Sequence, residues 1–158
     1  HVFGDQADER WQQLQGKILT TTESWSDGYF SLFMNGEAPM ILSYSTSPAY
    51  HMAVDKTDRY QAVAFEEGHY LQVEVAAVTE SSDQKALARS FLEFMLTPDF
   101  QRHMPLKNVM YPAINLGDEL PEVFDRLIQP TRALMFSPEI LRNNRQAWIN
   151  EWLDTMTR

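Results

Sequence analysis

Residues 23–51 read ESWSDGYFSLFMNGEAPMILSYSTSPAYH, and the order of elements in this stretch decides the predicted fold. A helix is predicted to begin at Trp25, because apolar residues then repeat at helical spacing, and to end at the Asn-Gly pair that follows. A short apolar strand at residues 40–44, a polar loop and a new helical turn come next. With a β-branched strand at residues 17–22, this alternation predicts an α/β sheet, in which ligands bind beyond the carboxyl ends of strands.

The rest of the chain continues the α/β pattern. Further strands are predicted at residues 60–65 and 70–78, the second with clean alternation of apolar and polar side chains. A capping box of Ser81 and Gln84 opens an amphipathic helix that ends near a Thr-Pro pair. A last helix is predicted to begin at Ser137, with a proline in its first position. We therefore predict a twisted sheet flanked by helices, followed by C-terminal helices.

Composition narrows the range of partners. The chain has 158 residues and 44% hydrophobic content, so it can bury a core, and one domain is the default expectation. Its formal net charge of −9 argues against nucleic acid and anionic membranes, because both require a basic surface. An acidic surface tolerates a cationic ligand. Cysteine is absent, which excludes disulfides and thiol chemistry within this sequence.

The sequence nominates neither catalytic residues nor metal ligands. His51, His69 and His103 are far apart, and none lies in a metal-binding spacing, so no metal site is predicted. The serines near residue 45 lack a nucleophile elbow and a base, and adjacent carboxylates at turns are usually solvated. We therefore predict that the protein is not an enzyme and needs no cofactor.

Aromatic residues beside short polar residues are the strongest functional signal. Trp25 follows the end of one predicted strand among Ser and acidic neighbours, and Tyr44 and Tyr50 bracket the hydroxyl-rich loop STSP. Aromatics at element ends are also often core residues. The polar context also fits a partly wet site, suited to a flat cationic heterocycle that gains about 0.5 to 2 kcal/mol from each good cation–π contact. The residues alone leave both interpretations open.

Several strings, SWSDGY, LSYSTSPAYH, GHYLQVEVAA, MYP and RQAWINEW, resemble the second half of the thiamine-binding periplasmic proteins of bacterial ABC importers. The resemblance covers essentially the whole chain. It implies a type II periplasmic-binding-protein-like fold of two α/β lobes, with the ligand between them. Residues 1–112 would form most of the second lobe and residues 113–158 a C-terminal helical segment, with the first lobe absent from this chain.

The resemblance also implies a function and a location. The expected protein is periplasmic and delivers thiamine, thiamine phosphate or thiamine diphosphate to an ABC permease in the inner membrane. A ferric-ion-binding protein of the same fold and a ligand-free interaction domain remain alternatives. Truncation should expose apolar surface on the last helix, around Trp148, Ile149 and Trp152, and such a surface favours self-association.

The family's ligand contacts can be carried onto this sequence residue by residue. Trp25, Tyr44 and Tyr50 match the aromatic positions that surround thiamine, and Ser26 is a further candidate contact. The family has a Trp where this chain has Val109. The aromatic cage is therefore incomplete, shifted onto Tyr111, or adapted to a related ligand. Glu74 could pair with an aminopyrimidine or offset a thiazolium charge, although alternation also explains it as an outward residue.

Overall fold

Helices dominate the part of the chain that the computed structural model describes, residues 2–156. The α-helices are α1 (Ala7–Gln15), α2 (Ser47–Tyr50), α3 (Lys85–Met95), α4 (Pro98–Gln101) and α5 (Pro138–Met156). Three π-helices span Asp27–Phe33, His51–Asp55 and Met104–Asn108, and short 3-10 turns lie at Gly4–Gln6, Gly117–Glu119 and Glu122–Phe124. Two strands, β1 (His69–Tyr70) and β2 (Ala133–Leu134), pair with each other.

The chain divides into two compact units. The first unit holds the described residues up to Ser43 together with those from Leu134 onward, and the second unit holds Tyr44–Ala133. Each unit therefore contains part of the predicted candidate site: Trp25 and Ser26 belong to the first, and the remaining candidates belong to the second.

The four predicted strands are the main correction to the sequence-based elements. Residues 18–22, 41–44, 60–65 and 71–78 have no regular secondary structure, and only the start of the fourth, at β1, is a strand. The physical reason is that a strand needs a hydrogen-bonded neighbour. Alternation of side chains sets which faces are apolar and says nothing about where the neighbouring backbone comes from.

The predicted boundaries of three helices agree with the structure, whereas the predicted capping box of α3 does not. α1 ends at Gln15, directly before Gly16, α5 begins at Pro138, and α3 ends at Met95, as their sequence signals indicate. The predicted capping box of Ser81 and Gln84 is wrong. The hydroxyl of Ser82 accepts the Gln84 backbone N–H at 3.2 Å instead, and α3 begins after Gln84 without a side-chain cap. The Ser82 hydroxyl closes a local turn before the helix and does not cap it.

The core of the second unit lies beneath α2. Ala49, Phe124 and Leu127 are buried together, and Phe124 is only 1% exposed. β1 closes the unit through the His69 N–H, which donates to the Arg132 carbonyl at 3.0 Å. The preceding Gly68 has φ +103°, and a Cβ there would lie 2.6 Å from the Arg132 carbonyl oxygen. Glycine is therefore required at this turn for both conformation and space.

The first unit is organised around the first π-helix. Its Tyr29 is buried, and Gly28 sits so close to Ile41 and Thr22 that an added Cβ would lie 3.0 Å from the Ile41 side chain. Helix α5 contacts α1 in the same unit. Within residues 2–156, no helix is both long and apolar enough to cross a membrane.

Candidate functional site

Trp25 is presented by a tightly hydrogen-bonded turn at the start of the first π-helix. The Ser24 hydroxyl donates to the Asp27 carboxylate at 2.6 Å and accepts the Asp27 backbone N–H at 3.1 Å. The Thr22 hydroxyl in turn donates to the Ser24 carbonyl at 2.7 Å. These bonds satisfy helix-terminal groups and fix the backbone on both sides of Trp25.

The indole ring of Trp25 has one supported side and one accessible side. Its centroid lies 4.5 Å from that of Tyr29 in a stacked arrangement and 5.7 Å from that of Phe30 in an edge arrangement. Tyr29 is 4% exposed, whereas Trp25 is 45% exposed. A rigid aromatic ring held from beneath and open to solvent can stack on a planar ligand. The exposed Ser26 follows it directly.

In the second unit, Tyr44 and Tyr50 flank a turn that the core holds in place. The Ser47 N–H donates to the Tyr44 carbonyl at 3.1 Å, and Pro48 lies in the first turn of α2, as predicted. Ala49 is fully buried, so the segment is anchored between the two tyrosines. Tyr44 and Tyr50 themselves are 45% and 38% exposed, so neither side chain is buried within this chain.

A buried histidine supports Tyr50, and the sequence-based assignment missed it. His51 is 2% exposed, and its Nδ1 lies 2.7 Å from the Asp55 carboxylate. Its ring centroid lies 4.3 Å from that of Tyr60 and 5.7 Å from that of Tyr50. The His-x-x-x-Asp spacing places both side chains on one helical face, and that spacing was the available signal.

Tyr111 and Glu74 have different surroundings from the tyrosines at α2. The Tyr111 hydroxyl accepts a hydrogen bond from Gln129 at 3.1 Å, and its ring meets the edge of Phe124 at 5.2 Å. Glu74 accepts the side-chain N–H of Asn108 at 2.9 Å. This contact gives Glu74 a specific partner beyond that expected of an outward residue on an alternating segment.

The backbone after Tyr111 is held by a hydrogen bond to Gln101, and the backbone before it includes a left-handed residue, Val109. Gln101 is 5% exposed, and its amide donates to the Met95 carbonyl and accepts the Ala113 N–H, both at 2.7 Å. It thereby ties the segment after Tyr111 to the end of α3. Val109, at the end of the third π-helix, has φ +55°, which is a strained conformation for a β-branched residue.

A cavity of about 280 Å³ lies in the second unit, beside the turn between Tyr44 and Tyr50. Ser45, Pro48 and Tyr60 line it, and so do Asp58 and Arg126, which form an ion pair at 3.5 Å. Within residues 2–156, no group of three or more His, Asp or Glu side chains is placed to hold a metal ion. The geometry thus offers aromatic faces, hydroxyls and a few charged side chains.

Comparison with known proteins identifies the class to which this arrangement belongs. Residues 4–108 match the family of bacterial extracellular solute-binding proteins, and the chain belongs to that family. The predicted α/β binding-protein fold is thereby confirmed, although its strands are not formed at the predicted residues.

Individual relatives narrow the comparison further than the family match does. The chain is 50% identical over 157 residues to the thiamine-binding periplasmic protein of Brucella abortus and 48% identical to that of Escherichia coli. Each alignment covers 99% of this chain and 47% of the relative, so the chain spans about half the length of these curated relatives. The resemblance stated from sequence motifs is confirmed, and the periplasmic location is confirmed with it.

A solved structure agrees with these relatives. A periplasmic thiamin binding protein superposes on 99% of this chain with a TM-score of 0.92 and 48% sequence identity, and the match covers 48% of that protein's chain. The conformation described above is therefore one that a related chain about twice as long also adopts.

Proposed function

We propose that this chain is part of the solute-binding component of an ABC importer and that its ligand is thiamine or a thiamine phosphate ester. The observation that carries the proposal is identity of about 50% across 99% of the chain with proteins named for thiamine binding. On this proposal the protein is not an enzyme, and it delivers its ligand to a permease.

The local chemistry supports the same ligand. The aminopyrimidine and the positively charged thiazolium of thiamine are flat rings, and Trp25, Tyr44 and Tyr50 are aromatic side chains between 38% and 45% exposed. Stacking and cation–π attraction by such faces are worth about 0.5 to 2 kcal/mol for each good contact. We propose that these three residues, with Ser26, Tyr111 and Glu74, contact the ligand, and that the net charge of −9 favours its cationic form.

The lobe assignment is part of this proposal. We propose that residues 1–112 are most of the second lobe of a two-lobe protein and that residues 113–158 are a C-terminal helical segment. A single lobe offers one wall of a binding site and leaves the other face of the ligand in water. The isolated chain should therefore bind thiamine poorly.

Isothermal titration tests the ligand directly. We would replace the 157 matching residues of the Brucella abortus relative by this chain and titrate the chimera with thiamine, thiamine phosphate, thiamine diphosphate and ferric citrate. Saturable heat with a thiamine compound is expected. If only ferric citrate gives saturable heat, and phenolate-bound iron gives visible absorbance, the protein binds ferric ion and the thiamine proposal is wrong.

The isolated chain is titrated under the same conditions. Weak or undetectable binding is expected, while light scattering reports its state of association. Submicromolar thiamine binding by a monomer of this chain would contradict the two-lobe account.

A further inference from the structure

Helix α3 has an apolar face that stays open to solvent. Leu87, Phe91 and Phe94 follow one another at helical spacing on that face and are 67%, 54% and 48% exposed. Phe100 of α4 covers part of it, with ring centroids 6.4 Å from Phe91 and 5.6 Å from Phe94. We call Leu87, Phe91 and Phe94 the α3 face.

The composition of α3 points to a buried role for this face. None of its residues is buried in this chain, although its sequence, KALARSFLEFM, separates apolar from charged positions clearly. Large apolar side chains grouped on one face are rarely left in water, because each loses the free energy of burial. Arg89, on the same helix outside the α3 face, is exposed as expected for a solvated charge.

Two observations indicate what covers the α3 face. Relatives at about 50% identity are twice as long as this chain, and a solved relative keeps the same conformation, with a TM-score of 0.92, within such a longer chain. A segment of the same polypeptide docks at a high effective concentration, which a separate molecule does not have. Two copies of this chain would each carry a formal charge of −9 and would repel each other.

We propose that the α3 face is the docking surface for the other half of the longer polypeptide, the half that this chain does not contain. The proposal concerns packing between two halves of one polypeptide. It does not depend on the identity of the ligand.

Cysteine labelling tests the proposal cleanly because this chain contains no cysteine. Leu87→Cys would be made in the isolated chain and in the chimera with the Brucella abortus relative, with any cysteines of the added half replaced by serine. Arg89→Cys is the matched control. Maleimide labelling of Leu87→Cys should be on the order of 10-fold slower in the chimera than in the isolated chain. Labelling of Arg89→Cys should be similar in both.

A charge substitution gives an independent measurement. Phe91→Asp should lower the Tm of the chimera by about 5 °C or more, whereas Arg89→Asp should change it little. Equal labelling of Leu87→Cys in both proteins, or equal Tm changes for the two Asp variants, would overturn the proposal. The same positions are tested in the intact Brucella relative, so that a chimera that fails to fold still leaves a decisive result.

Light scattering tests whether a second copy of this chain covers the α3 face instead. If the isolated chain is a dimer that Phe91→Asp dissociates, and Leu87→Cys is as accessible in the chimera as Arg89→Cys, the α3 face is an interface between copies and the proposal fails. A monomeric isolated chain with a protected Leu87→Cys in the chimera supports it. Thiamine binding enters none of these readouts, so failure here leaves the proposed function intact.

Discussion

Helices α2 and α3 lie in the same unit and differ in how their apolar residues are covered. α2 has four residues, yet Pro48 and Ala49 are buried, and His51 is buried directly after them. α3 has eleven residues with a clear apolar face, and none of them is buried. The difference shows that the apolar spacing of a helix predicts which face can be buried. It does not predict which part of the chain, if any, buries that face.

The largest expected effect comes from removing the support beneath α2. Phe124→Ala should lower the free energy of unfolding by about 3 to 5 kcal/mol, because Phe124 is 1% exposed and its loss leaves a cavity next to Ala49. Val75→Ala is the control, since Val75 is 86% exposed and should cost less than about 0.5 kcal/mol. Urea unfolding of the chain measures both. Similar costs for the two variants would remove the contrast between covered and open regions.

Trp25 tests whether an exposed aromatic serves binding rather than stability. In the chimera, Trp25→Ala should weaken thiamine binding by about 1 to 3 kcal/mol, which is roughly 5- to 150-fold, with little change in Tm. Tyr29→Ala is the matched control. Tyr29 is buried under Trp25, so its loss should lower Tm first. A large loss of stability with unchanged affinity for Trp25→Ala would make it a structural residue.

Val109 tests whether a left-handed backbone conformation destabilises the chain. The second and third π-helices both end on a left-handed residue, Lys56 with φ 56° and Val109 with φ 55°. Val109→Gly should raise the free energy of unfolding by about 1 kcal/mol, because glycine adopts this conformation without a steric penalty. Lys56→Gly should gain less, since lysine is not β-branched. Thermal melts that rank the two the other way would show that Val109 is not strained.

The smallest expected effect concerns an acidic pair between α1 and α5. The hydrogen bond that the protonated Glu151 carboxyl donates to Asp8, then burial and repulsion from Asp8, raise the pKa of Glu151 above its usual 4.5. The protonated pair is therefore favourable, and its contribution to stability is present below about pH 4.5 and lost as pH rises through the raised pKa.

Asp8→Asn should thus raise Tm slightly at about pH 7, by less than roughly 2 °C, and give no gain at about pH 4. Asp5→Asn, at an exposed position in the preceding 3-10 turn, is the control. A gain that is equal at both pH values would exclude repulsion between Asp8 and Glu151 as its cause.

The residues alone allowed both core and open positions for Trp25, Tyr44 and Tyr50. Local signals in the sequence determined the ends of α1 and α3, the start of α5 and the turn at Pro48. Each depends on residues within a few positions along the chain, where proline, glycine and short polar side chains act directly on the backbone. Tertiary structure decided the rest: the missing strands, the buried His51 and the side chains left open on α3. Strand pairing and burial depend on groups distant in sequence, so the spacing of apolar residues cannot specify them.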